Sequence, residues 1–254
     1  MSDGDTAARS PHLLPFLGDP PDRSSWVRAQ ETAFNPEHWR AHLGDDAFLP
    51  PEFDSLKRDK RGYRLISWQD VHGIAERANE PLGALHTYVA AAAWGSGKRP
   101  ARPRRIFTGD RAQAWAVAEK LKAAADVLAT DDPVAAYRVM DRGGTAYTPG
   151  LRAAFFTKFM YYAGYPNEPR ECTGQRHPLI LDSNVAIALN RLLNLGWRKS
   201  GWTADQYRRY LNIAHDWAGQ WGDGCDPDVV ERVLFSIGQS GSLAVAALTG
   251  LPPR

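Results

Sequence analysis

Apolar residues from Trp26 onward return at intervals of three and four, and no segment sustains an alternation of two. That pattern leaves little room for a sheet-based fold and requires helix packed on helix. The punctuation agrees. Ser67 with Asp70 forms an N-cap pair before WQDVHGIAERA, and Pro81 opens PLGALHTYVAAAAWG, which ends at Gly95. Residues 111–128 carry Trp115, Val117, Ala118, Leu121, Ala125 and Leu128 on one face. Asp132-Pro133 starts a short helix to Met140, and LRAAFFTKFMYYAG follows a Gly/Thr/Pro cluster. A long loop from Tyr165 to Pro178 leads to LILDSNVAIALNRLLNLG, extended at first and helical from Asp182. Thr203 and Gln206 cap the next helix, Asp226-Pro227 starts DPDVVERVLFSIG, and SLAVAALTG closes the chain. IFTG and PLILD are the only strand-like fragments. The expectation is an all-α domain over 26–254, with room for two helical lobes and a cleft between early and late helices.

The margins are less patterned. Residues 1–25, rich in Ser, Asp, Gly and Pro, read as a flexible tail. Trp26, Ala29 and Ala33 fall on one side of a short helix that Pro36 ends, and residues 44–64 read as an irregular connection.

The chain has 254 residues, enough for a substantial core. It carries 31 Lys+Arg against 29 Asp+Glu, so global charge makes no case for nucleic acid; a local basic face would be needed. Cys172 and Cys225 cannot build a four-thiolate centre. With no secretory signal and no apolar run near the roughly 20 residues that span a bilayer, the expected setting is reducing and cytoplasmic. The seven histidines include no HExxH, and neither a P-loop nor GxGxxG occurs, so no metal or cofactor is expected.

Charge does concentrate locally. Lys98, Arg99, Arg102, Arg104 and Arg105 place five cations in eight positions, in a segment that Gly and Pro keep as a loop. Such a loop either tracks a nucleic-acid backbone or is simply solvated. A second cluster, Lys57, Arg58, Lys60, Arg61 and Arg64, is diluted by Asp59 and reads as a solvated face. Trp68, Trp94, Trp115, Trp217 and Trp221 lie on helices or helix ends, as core residues or as walls of a pocket for a planar ligand.

From Asp132 to Leu192, the strings DPVAAYRVM, GLRAAFFTKFMYYAG and LILDSNVAIAL resemble the helix-hairpin-helix DNA glycosylases, above all small bacterial proteins related to 8-oxoguanine DNA glycosylase. DPDVVERVLFSIG resembles the closing helix of such domains, and helical order agrees over about 70–240. The resemblance implies a hairpin that holds a DNA phosphate, here around Gly150 and Arg152, and a catalytic aspartate heading the next helix as D-x-x-[VI], here Asp182 with Val185. It implies a nucleophilic lysine, for which Lys158 is the available residue. Alanine stands where the family lysine usually falls, Lys158 comes about one turn later, and its connection to Asp182 is longer than usual. The iron–sulfur cysteines of one branch and the β-rich N-terminal domain of another are absent from the pattern.

Read without the resemblance, Leu151, Phe155, Lys158 and Tyr162 share one helical stripe. Lys158 there either snorkels from a core edge or sits in a dry pocket that favours the neutral, nucleophilic amine. Asp182 is a plain N-cap, a carboxylate placed to stabilise a cationic sugar, or both. Backbone amides of the turn at 145–152, with Gly143 and Gly144, can hold a phosphate without side-chain charge. Tyr147 beside it is a candidate wedge for a vacated base stack. With the resemblance added, the expected activity is that of a monomeric DNA glycosylase of the bacterial nucleoid, acting on duplex DNA with a modified base. An oxidised purine follows from the resemblance alone, and lyase activity is added if Lys158 reaches C1′. The alternative is a non-catalytic DNA-binding helical protein on the same scaffold.

Overall fold

The computed structural model describes residues 19–99, 103–130, 132–165, 176–221 and 226–240. Two strands, β1 (Glu31–Phe34) and β2 (Arg64–Ser67), accompany nine helices among these residues: α1 (Glu37–Leu43), α2 (Trp68–Ala75), α3 (Pro81–Ser96), α4 (Arg111–Thr130), α5 (Pro133–Met140), α6 (Ala153–Gly164), α7 (Ser183–Leu193), α8 (Ala204–Trp221) and α9 (Pro227–Ser240). Both cysteines and the segment SLAVAALTG lie outside the described residues.

Caps set the helix starts. Ser67 and Asp70 exchange side-chain-to-amide bonds in a capping box at α2, and Thr203 and Gln206 do the same at α8. Asp132 accepts from the Val134 and Ala135 amides at α5. Each such cap stabilises its helix by about 1 kcal/mol. Pro81, Pro133 and Pro227 take first-turn positions, where the missing N–H costs nothing.

Helix α3 is buried continuously from Gly83 to Ala93, which suits a central helix. It packs against α2, α4 and α6, while α9 packs against α7 and α8. Helix α5 bridges the groups: the Tyr137 hydroxyl donates to the Trp202 carbonyl at 2.6 Å, and its ring stacks on Tyr207 at 4.6 Å. Helix α6 lies at this junction, its face from Phe155 to Tyr162 wholly buried. The fold is all-α apart from one small sheet.

That sheet falls where alternation was not legible. β1 and β2 pair antiparallel, with Glu31 opposite Ser67 and Phe34 opposite Arg64. Ala33 is therefore in a strand rather than a helix, and the turn at Ser24–Arg28 is a separate π-helical one. Four residues per strand carry only two inward positions, too few to read as a period. Phe34 and Ile66 nonetheless reach the core completely. Neither IFTG nor PLILD forms a strand.

The folded body also begins before Trp26. Arg23 is buried, and its guanidinium donates to both oxygens of the fully buried Asp228 at 2.8–3.0 Å. Asp228 also accepts the Tyr161 hydroxyl at 2.9 Å, which in turn accepts the Trp68 indole N–H at 2.9 Å. Burial opposes the Arg23 charge, but the Asp228 hydrogen bonds and charge outweigh it and raise the pKa. This network ties α2, α6 and α9 to the N-terminal turn.

Candidate active site

The run PLIL is extended because side chains, not a partner strand, satisfy its backbone. Tyr207 and Tyr210 on α8 donate to the carbonyls of Leu179 and Ile180, each at 3.0 Å. Thr157 on α6 accepts the Leu181 N–H at 3.1 Å. The anchoring by two helices fixes where α7 begins and therefore where Asp182 stands.

Asp182 divides its two oxygens between two tasks. Oδ1 accepts from the Asn184 and Val185 amides at 2.9 and 3.2 Å, an N-cap. Oδ2 lies 3.5 Å from Lys158 Nζ. The side chains of Lys158 and Asp182 are only 7% and 13% exposed, so the lysine does not snorkel to solvent. Its ammonium also donates to the Ala154 carbonyl at 3.2 Å and lies 5.6 Å from the Phe155 ring centre. An ammonium has three donors, and these two oxygens leave one direction open.

Space for that lysine comes from a missing side chain. Gly95 on α3 faces it, and a Cβ there would sit 2.5 Å from Lys158 Cε and 2.6 Å from Cδ. A side chain there would displace the end of the lysine chain, so the glycine leaves Lys158 its present path.

A third carboxylate faces the pair. Glu231 on α9 is buried, and its pKa is pushed up to about 8, first by burial and then by the Asp182 charge, with Lys158 pulling the other way. At neutral pH it is a carboxylic acid able to donate a proton. Beside it, Arg232 is buried with its guanidinium 5.1 Å from the Phe235 ring centre and 5.8 Å from that of Trp26. Sequence reasoning missed Glu231. The available signal is a charge set in the apolar stripe of Val230, Val233, Leu234 and Ile237.

One helical turn beyond Lys158, Tyr162 meets Trp94 at 5.7 Å and His72 at 4.9 Å, and His72 lies 3.8 Å from Trp68. Trp68 and Trp217 are core, whereas Trp94 and Trp221 are half-buried and Trp115 is 45% exposed. Burial, with the Arg23 and Arg28 charges, depresses the His72 pKa to about 3, leaving a neutral imidazole.

The turn between α5 and α6 is joined to the basic segment. Gly150 has φ +86°, and a Cβ there would overlap the Arg105 carbonyl, so the backbone of 103–105 lies directly on the turn. Gly150, Arg104, Arg105 and Arg152 are all exposed around this contact. Lys120 backs the turn from α4, donating to the Tyr147 carbonyl at 2.8 Å. The basic segment thus runs from α3, beside Gly95 and Lys158, to the turn at Gly150. Arg99 is exposed. Lys98 is turned toward Asp59 at 3.4 Å and the Tyr63 ring at 4.4 Å, away from the grouping at the turn. Arg102 lies outside the described residues.

Among the described residues no group of three or more His, Cys, Asp or Glu is arranged to hold a metal ion, and no helix is long and apolar enough to cross a membrane. Neither a curated protein nor a solved structure matches the chain. A family model described as "Putative 8-oxoguanine DNA glycosylase OGG-like protein" matches residues 25–235, which takes in β1 through α8, α9 as far as Phe235 and every residue of the site above. The chain belongs to this OGG-like DNA glycosylase family.

Proposed function

We propose that the protein extrudes a modified base, an oxidised purine, from duplex DNA and cleaves its N-glycosidic bond at the Lys158–Asp182 pair, with AP lyase activity following. The observation that carries this is a buried lysine 3.5 Å from a carboxylate whose other oxygen is locked in a helix cap. The cap fixes the carboxylate, and the Ala154 carbonyl helps to hold the amine against it, along a path that Gly95 leaves open. A pair so oriented needs no reorganisation when charge develops.

In the reaction Asp182 takes a proton from the Lys158 ammonium. The freed lone pair attacks C1′ of the extruded nucleotide, and the glycosidic electron pair leaves with the base, which gains a proton. Opening of the C1′–O4′ bond then gives a Schiff base at C1′ and a hydroxyl at C4′. Loss of a C2′ proton expels the 3′ phosphate, and water hydrolyses the imine to free Lys158. A positioned base of this kind contributes about 10²–10⁴-fold. The amides of the turn at Gly150, with Arg104, Arg105 and Arg152, hold backbone phosphates beside the extruded nucleotide. A net charge of +2 fits modest, salt-sensitive affinity carried by that one face.

A panel of duplexes, each with one modified base, tests this against Asp182→Asn. The wild-type protein is expected to release an oxidised purine and the variant to lose at least about 10²-fold in rate. No release across the panel, with duplex binding retained, contradicts catalysis and supports a binding protein.

A further inference from the structure

The buried tyrosines divide into two kinds. The hydroxyls of Tyr137, Tyr161, Tyr207 and Tyr210 all donate to a carbonyl or carboxylate at 2.6–3.0 Å. The Tyr162 hydroxyl has no partner, although the residue is 2% exposed. The same is true of two of its four ring neighbours: His72 Nε2 and Trp94 Nε1 are buried and unpartnered among the described residues. The three rings meet at 4.9 and 5.7 Å, yet none bonds another, because each presents an edge to a face.

Three adjacent unmet polar atoms are unusual for packing, since each such atom costs about 1–3 kcal/mol. Their position gives the reason. Tyr162 follows Lys158 by four residues on α6 and so shares its face. Trp94 immediately precedes Gly95, whose bare Cα receives Lys158. Tyr162 therefore sits one helical turn along α6 from the lysine that would attack C1′, and Trp94 sits next to the glycine that receives it.

We propose that Trp94, Tyr162 and His72 form the wall that reads the far edge of the extruded base, and that this edge is a lactam, a carbonyl beside a ring N–H. The proposal rests on the glycosylase reading above. Trp94 Nε1 can only donate, so it requires an acceptor such as a carbonyl oxygen. The Tyr162 hydroxyl gives and takes, and the neutral His72 ring offers one open nitrogen, so together they serve a neighbouring N–H. An apolar ligand would leave all three unmet. A base with an etheno ring in place of the lactam offers no N–H to match them.

Duplexes carrying 8-oxoguanine, hypoxanthine or ethenoadenine test this by single-turnover base release, alongside borohydride trapping on an abasic duplex, where no base is present to be read. Wild type is expected to release the two lactam bases well ahead of ethenoadenine. Tyr162→Phe keeps the ring and is expected to slow lactam release roughly tenfold to a hundredfold, with trapping changed less than about twofold. His72→Phe is expected to show the same split. Three results would each overturn the wall: release unchanged in both variants, ethenoadenine released as readily as the lactams, or trapping that falls in step with release. A wild-type protein that neither traps nor releases any base instead removes the glycosylase reading, and the wall with it.

Discussion

Two buried cation–carboxylate pairs reach the α7–α9 side of the molecule, one from the N-terminal turn and one from α6, and they are built to opposite ends. Arg23 meets Asp228 through three N–H···O contacts of 2.8–3.0 Å, and Asp228 takes the Tyr161 hydroxyl as well. That pair is saturated. Lys158 meets Asp182 once, at 3.5 Å, beside the carboxylic acid of Glu231 and a tyrosine hydroxyl with no partner. A buried pair held by several short contacts fixes geometry. An undersaturated one keeps capacity for a ligand or a proton transfer, and perturbed, incompletely paired groups concentrate at functional sites.

The largest effect that separates the two pairs is chemical. Lys158→Gln is expected to abolish covalent capture of an abasic duplex, whereas Arg23→Gln is expected to retain it in whatever fraction remains folded. Asp182→Asn should separate that residue's two roles. Asparagine caps about as well as aspartate, so α7 should keep its start and the folded protein its helical content, while Lys158 loses its base and base release collapses.

Next in size is stability. Removing one side of the saturated pair, by Arg23→Gln or Asp228→Asn, should cost about 3–5 kcal/mol in denaturant unfolding, because it strands a buried charge or its acceptor. Lys158→Gln should cost clearly less. Equal losses would erase the distinction between the pairs.

A smaller effect is set by pH. Glu231 holds its proton up to about pH 8 in the folded protein, against an ordinary value of 4.5. Between those values the native state binds a proton that the unfolded chain has released, so stability falls as pH rises through that window. Glu231→Gln should flatten this loss, and a slope unchanged in the variant would assign it to another group. Smallest is the electrostatic term. Arg105→Ala should lower the slope of log affinity against log salt by about one, uniformly across sequences.

Much of this was legible in the chain. Helices announce themselves through Ser67–Asp70, Asp132–Pro133 and Thr203–Gln206 because caps are local chemistry. Asp182 as a cap was readable for the same reason. That Lys158 reaches it was not, since the contact depends on Gly95, a residue 63 positions earlier whose importance lies in lacking a side chain. Glu231 and His72 were hidden in apolar stripes, where one polar residue looks like an interruption until its neighbours are known. The β1–β2 pair is too short to carry a period, and Arg23 looked like part of a polar tail until Asp228, 205 residues away, supplied its partner. Local signals predicted elements; contacts between distant elements made the site.

The central claim is that the open pair is a nucleophile and its base. Borohydride reduction of the protein on an abasic duplex tests it most directly. The wild-type chain is expected to give one covalent protein–DNA adduct, Asp182→Asn far less, and Lys158→Gln none. An adduct that survives Lys158→Gln, or base release by wild type with no adduct at all, would contradict the assignment and leave water as the attacking group.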